Sequence, residues 1–186
     1  MNLRKPRGFT LIEALVTISI LAIVTSLAVP NLRDFMVSNK MANLSNEFSS
    51  AVLQTRALAV SKNACATLCA STDISASGGT GTCSNSTTDD FQKGWLVFVN
   101  KACTDTLTTP PAGSITVLRR GDGDNAYSIT LGTGGKSMVM FDPRGYSNLP
   151  AAAEYKVNPP ASADAKFKRA VCVDAAGRPT VRQSCS

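Results

Sequence analysis

The sequence contains no histidine, and charged residues make up only 17% of its 186 positions, a share below that of an ordinary globular domain. Without histidine there can be no Ser-His-Asp triad, no imidazole general base and no imidazole metal ligand. No serine or cysteine has an identifiable base either, so an enzyme is not expected. Acids are scarce as well: 13 Asp plus Glu face 19 Lys plus Arg, a formal charge of +6. An anionic partner therefore comes into view once that charge is located along the chain. The length suits one domain with a real core.

The N-terminus also lacks something. Its first eight residues, MNLRKPRG, hold Arg4, Lys5 and Arg7 and no acid, and their glycine precedes the apolar run, where a cleavable signal would put small residues in an A-x-A-like site after it. That sets it apart from an ordinary cleavable secretory signal. The run itself, FTLIEALVTISILAIVTSLAV, covers Phe9 to Val29 with Glu13 as its one charge. As a helix rising about 1.5 Å per residue it is long enough to span a bilayer. The basic residues before it predict that this end stays cytoplasmic and that the bulk of the chain is exported. Pro30 predicts a kink or a locally melted turn. Beyond it, Leu44, Phe48, Ala51, Thr55 and Leu58 recur every three or four residues, the pattern of an amphipathic helix reaching about Val60 and packing under a sheet.

Residues 61–92 lack periodicity and predict a long loop, with a short strand around Ala64–Leu68. Strands are expected at Trp95–Val99, Ser114–Leu118, Tyr127–Leu131, Ser137–Phe141 and Arg169–Val173, and more weakly at Thr180–Arg182, separated by GDGDN, GTGG and DPRG turns. A long helix followed by a mainly antiparallel sheet is an α+β architecture. Two site motifs are incomplete. GTGGKS at Gly132–Ser137 has Thr130 where a phosphate loop needs glycine, and a hairpin turn is expected there. Counted from Asp122, with Asp124 and Asn125, the twelfth position of a calcium loop would be Thr133 and not a glutamate, which leaves a solvated turn.

Cys65, Cys69, Cys83, Cys103, Cys172 and Cys185 all fall in the part expected to be exported. Six cysteines allow three bridges in fifteen connectivities. Cys172 and Cys185 are the best-supported pair, because a strand ending near Val173, a turn at Ala176–Gly177 and a return strand bring them together. The other four are left open. Cys65 and Cys69 have the C-x3-C spacing of a metal knuckle, but an oxidising compartment favours disulfides. No metal or cofactor is expected.

The leader ending in Gly8, followed by FTLIEALVTISILAIVTSLAVP, resembles the class III signal of type IV prepilins and pseudopilins. GWLVFV at Gly94–Val99, MFDPRG at Met140–Gly145 and VDAAGR at Val173–Arg178 resemble the strand motifs of GspH/FimT/FimU-like minor pilins and pseudopilins. The resemblance implies the type IV pilin fold. It divides the chain into a leader (1–8), a transmembrane and assembly helix (9–29), an amphipathic helix half (30–62) and a β-rich exported domain (63–186) closed near its C-terminus by a disulfide. It further implies cleavage between Gly8 and Phe9 by a prepilin peptidase and N-methylation of Phe9. Glu13 would pair with the N-terminal amine of a neighbouring subunit, consistent with the cost of an unpartnered carboxylate in hydrocarbon. The implied role is a minor type IV pilin that primes assembly or sits at the pilus tip, in twitching motility or adhesion. Its implied partners are other major and minor pilins and the inner-membrane assembly machinery, and its location the bacterial inner membrane, with a periplasmic C-terminal domain, and the extracellular pilus.

Half of the formal charge belongs to the leader, whose removal takes it from +6 to +3. The remainder is C-terminal: residues 166–186 carry Lys166, Lys168, Arg169, Arg178 and Arg182 against Asp174 alone. Such a patch could bind DNA phosphates without reading sequence. FimT-like pilins that bind DNA carry a GRxR-type tail; GRPTVR here keeps Gly177 and Arg178 and places the next arginine two positions later. DNA uptake in transformation and a minor pseudopilin of a type II secretion system are thus the alternative functions.

Overall fold

A computed structural model describes residues 9–71, 74, 81–84, 86, 91–120, 126–150 and 152–185, with backbone alone at 27, 29–31 and 116–120. The chain divides into two units, Met1–Ser38 and Asn39–Ser186. Helix α1 (Leu11–Lys62) contributes to both. It passes through Pro30 without a break in helical structure, so the melted turn expected there is not found. Proline removes one i→i−4 hydrogen bond, a loss that the turns on either side can bridge.

Among the described residues of the second unit eight strands form two antiparallel sheets, and not one. Sheet A has the order β3-β2-β1-β5 and sheet B the order β4-β6-β7-β8. The strands are β1 (Ala66–Ala70), β2 (Gly94–Val99), β3 (Ile115–Arg120), β4 (Ser128–Leu131), β5 (Met138–Phe141), β6 (Ala153–Asn158), β7 (Arg169–Val173) and β8 (Pro179–Arg182). Met41, Leu44, Phe48, Val52 and Ala59 of α1 are buried. Phe48 joins the sheets, because its ring packs 6.0 Å from Trp95 of β2 and 4.8 Å from Tyr155 of β6, centroid to centroid, with Phe91 at 5.0 Å. The buried Tyr155 hydroxyl donates to the Lys136 carbonyl at 3.0 Å and accepts from the Lys136 amide at 3.3 Å. It is thus a satisfied polar group, and burial pushes its pKa up.

GTGGKS proves to be a connection between sheets and not a hairpin. β4 and β5 do not pair. Instead Gly132 N–H donates to the Glu154 carbonyl (2.8 Å) and Glu154 N–H to the Thr133 carbonyl (2.9 Å), extending the β4–β6 ladder before the chain crosses to sheet A. At the free edge of β5 the Asn148 side chain mimics a strand: Oδ1 accepts from Met140 N–H at 3.0 Å and Nδ2 donates to the Met138 carbonyl at 3.4 Å.

Candidate functional sites

The first site is the start of α1. Thr10 caps it: Oγ1 accepts from the Glu13 amide (3.3 Å) and its carbonyl from the Ala14 amide (3.2 Å). Glu13 then lies in the first turn, where the helix dipole favours negative charge. Phe9, Leu11, Ile12, Leu15, Val16, Ile18, Ile20, Leu21, Ile23 and Val24 are all exposed, Phe9 by 74%. The hydroxyls among them turn inward: Thr17 donates to the Ala14 carbonyl at 2.9 Å, Ser19 to Leu15 at 2.8 Å, Thr25 to Leu21 at 2.9 Å and Ser26 to Ile23 at 2.7 Å. Each hydroxyl is satisfied within the helix, leaving the exposed Glu13 carboxylate as the single charge on this surface. Among the described residues no helix is long and apolar enough to cross a membrane. Gly8, with Arg4, Lys5 and Arg7, lies outside the described residues, as do Asp122, Asp124 and Asn125.

The cysteines of the second unit are joined as Cys65–Cys103, Cys69–Cys83 and Cys172–Cys185. No cysteine among the described residues is free, so Cys65 and Cys69 bond to different partners and offer no thiolate pair. Cys69 and Cys83 lie in a buried cluster with Leu96, Phe98 and Met138.

The basic C-terminal residues form a second candidate, and the structure brings Arg178 and Arg182 to one cavity but does not gather all five. Arg178 sits at the β7–β8 turn, its Nε donating to Asp174 Oδ2 at 2.8 Å and its amide to Asp174 Oδ1 at 2.8 Å. It lines an open cavity of about 400 Å³ with Asp174, Thr180, Arg182 and Cys185. Arg169 stands opposite Val157 in the register that pairs Tyr155 with Val171. This is the core-facing side of sheet B, and its Nε is buried with no hydrogen-bond partner. Arg182 pairs with Ala170 and so projects from the other side, one strand position beyond Arg169. Lys166 and Lys168 belong to the 3-10 turn leading into β7, with Lys166 Nζ 3.7 Å from Asp164 and 4.9 Å from the Phe167 ring centroid. Strand register, which linear charge counting does not resolve, is what sets Arg169 on the other side of the sheet from Arg182.

Asp174 recurs in form at Asp142. Each begins an Asp-x-x-Gly-x turn in which the aspartate carbonyl accepts from the glycine amide, at 2.8 Å for Gly177 and 2.9 Å for Gly145. In each, Oδ1 accepts from the residue after the glycine, Arg178 at 2.8 Å and Tyr146 at 2.9 Å. Burial of each carboxyl would raise its pKa, but the backbone amides and the adjacent arginine outweigh it and hold both below the ordinary value of 3.8. A depressed native pKa contributes stability above the ordinary value, and that stability is lost as pH falls from 3.8 through the lowered native value. Melting temperature measured against pH should therefore drop on that acid limb. The drop should be shallower in Asp142→Asn and Asp174→Asn, whose stability is already reduced at neutral pH.

Two protein families match the chain: the type II transport protein GspH family over residues 44–177, and the prokaryotic N-terminal methylation motif over residues 3–29. No curated protein matches in sequence. In fold the chain is similar to the type IV minor pilin FimU of Pseudomonas aeruginosa (strain PAO1), at 14% identity and a TM-score of 0.54, covering 80% of this chain and 93% of that one. A second crystal form of FimU aligns at 15% identity and a TM-score of 0.47, over 78% and 96% of the respective chains.

Proposed function

This chain belongs to the GspH family and is a minor pilin or pseudopilin of the type IV pilus and type II secretion class, and on that premise we propose that it is a minor type IV pilin that primes pilus assembly or sits in the tip complex. The reading makes it a structural subunit and not an enzyme. One observation carries it: a helix start whose surface is apolar throughout, with every described hydroxyl bonded inward and one outward carboxylate at Glu13. That surface suits a helix that passes from lipid into contact with other apolar helices, where an isolated carboxylate demands a partner. Cleavage after Gly8 exposes the amine of Phe9, which is then methylated. The Phe9–Val29 helix anchors the subunit once in the bacterial inner membrane with the second unit in the periplasm, and Glu13 meets the amine of a neighbouring pilin.

A strain deleted for the protein loses surface pili and twitching while exoprotein release is retained. Complementation with Glu13→Ala leaves incorporation into sheared filaments at least about tenfold below wild type. Wild-type incorporation of that variant defeats the assembly role, and selective loss of exoprotein release transfers the protein to a secretion pseudopilus. DNA capture is favoured by one feature, the shared cavity of Arg178, Thr180 and Arg182, and opposed by the Asp174 carboxylate that already occupies Arg178. Salt-sensitive duplex binding that falls in Arg178→Ala/Arg182→Ala, together with loss of transformation on deletion, would establish it.

A further inference from the structure

Within the second unit a groove of about 690 Å³ opens where the end of α1, the turn after β2 and the connection into β3 meet. It shares no residue with the Arg178 cavity, and its volume falls in the roughly 300–1,000 Å³ of ordinary ligand pockets. Apart from Ser114, Lys62 and Lys101 its lining is apolar, with Val99, Leu107 and Pro111 the bulkiest contributors. Ser114 is satisfied, because its hydroxyl donates to the Pro111 carbonyl at 2.6 Å. Lys62 and Lys101 are exposed, and neither meets a carboxylate among the described residues. Asp105, the acid nearest to Lys101 in sequence, lies 3.4 Å from Lys136 Nζ. Lys62 is not required to close the helix either. Ala64 N–H donates to the Ala59 carbonyl at 3.2 Å and Asn63 N–H to the Val60 carbonyl at 3.3 Å, with Asn63 in the left-handed region at φ +47°, so the backbone itself caps α1. The groove thus joins an apolar surface to two unneutralised ammonium groups and contains no acid.

The groove is held in shape without an occupant. Asn100 N–H donates to the Cys65 carbonyl at 2.7 Å, and its buried side chain donates to Thr67 Oγ1 at 3.0 Å and to the Thr104 carbonyl at 2.8 Å. The Cys65–Cys103 disulfide ties the same turn to the residues that follow α1. Cys103 stands at φ +51°, a conformation that a residue with a side chain keeps where its surroundings fix it. Val99 N–H donates to the Ser114 carbonyl at 3.1 Å and Ser114 N–H to the Pro111 carbonyl at 3.0 Å, which pins the connection into β3. Such preorganisation leaves little ordering cost for binding. We propose that this groove docks an acidic peptide, an extended segment whose apolar side chains enter among Val99, Leu107 and Pro111 and whose carboxylates meet Lys62 and Lys101. Charge complementarity selects the partner. An amphiphile carries its charge at one end, whereas two ammonium groups contributed by separate segments suit acids at two points along a chain. The docking does not depend on the pilin role.

The test uses the full chain in nanodiscs of neutral phosphatidylcholine and two end-capped synthetic peptides, EVLVE and EGSGE, which carry the same charges on an apolar and a polar centre. Carbodiimide couples a peptide carboxylate to a lysine amine in contact with it, and mass spectrometry reads which lysines carry the peptide. Lys93 and Lys168, both exposed, serve as references. EVLVE adducts should saturate at Lys62 and Lys101 and exceed those at the references at least about tenfold, whereas EGSGE should label all four lysines evenly, because charge pairs at exposed sites hold little by themselves. Lys62→Gln should lower EVLVE adducts at Lys101 about two- to fivefold, the share of one exposed ion pair. Ala112→Trp, which puts an indole into the groove, should remove the excess at both lysines; the contrast between the two peptides on the wild-type chain decides the matter if that variant fails to fold. Even labelling by EVLVE, or equal labelling of Lys62 and Lys101 by the two peptides, overturns the proposal. Decanoate that couples selectively to Lys62 and Lys101 where EVLVE does not assigns the groove to an anionic amphiphile and overturns the peptide reading.

Discussion

Phe48→Ala should lower the stability of the second unit by about 3–5 kcal/mol. Phe48 is fully buried and touches Trp95 of sheet A and Tyr155 of sheet B, so the cavity opens where both sheets meet the helix and neither sheet can collapse into it alone. Edge-to-face contacts with Phe91 and Trp95 are lost as well, each worth about 0.5–1.5 kcal/mol beyond area burial. Melting followed by near-ultraviolet circular dichroism, with Trp95 as reporter, should fall by roughly 10 °C or more. Leu53→Ala, on the exposed side of the same helix at 47% exposure, should stay within about 0.5 kcal/mol of wild type. A Phe48→Ala protein that melts with wild type would remove the bridging role of this ring.

Much of that arrangement can be anticipated from side-chain periodicity. Leu44, Phe48, Ala51 and Thr55 are spaced for one helix face, and all four are buried. Gly94–Val99 and Arg169–Val173 are apolar enough to announce strands, and both are strands. β6 escapes notice because AEYKVN is short, half polar and flanked by alanines and prolines. Its signal is nonetheless present as strict alternation, with Ala153, Tyr155 and Val157 buried and Glu154, Lys156 and Asn158 outward. Without β6 the strands do not divide into two sheets, and GTGGKS looks like a hairpin. The basic tail is deceptive for the same reason. Linear spacing puts five cations in one segment, but a strand has two faces and a hairpin two ends. Arg169 turns toward the core, Arg178 is taken up by Asp174, Lys166 lies beside Asp164, and Arg182 projects from the side of the sheet opposite to Arg169.

Gly177→Ala should cost about 2–4 kcal/mol, far more than an added methyl group ordinarily does. Two separate effects combine there. Gly177 has φ of +71°, a conformation that costs an L-residue about 1–2 kcal/mol. A Cβ at this position would also run into the Phe141 ring, which is fully buried and has no room to retreat. Gly113 separates the two effects, because it shares φ of +71° but has nothing within 4 Å of the Cβ position, so Gly113→Ala should show the backbone cost alone. Trimming the ring in Gly177→Ala/Phe141→Leu should recover part of the loss, measured by denaturant unfolding against both single variants. Equal losses at Gly177 and Gly113 would show that Phe141 does not oppose the turn. Gly177 is bound to Asp174, which holds Arg178 in place, so the glycine-arginine pair that resembles a DNA-binding tail is accounted for by the demands of the turn. A loss of DNA binding in a Gly177 or Arg178 variant is therefore informative only when the same variant retains wild-type melting.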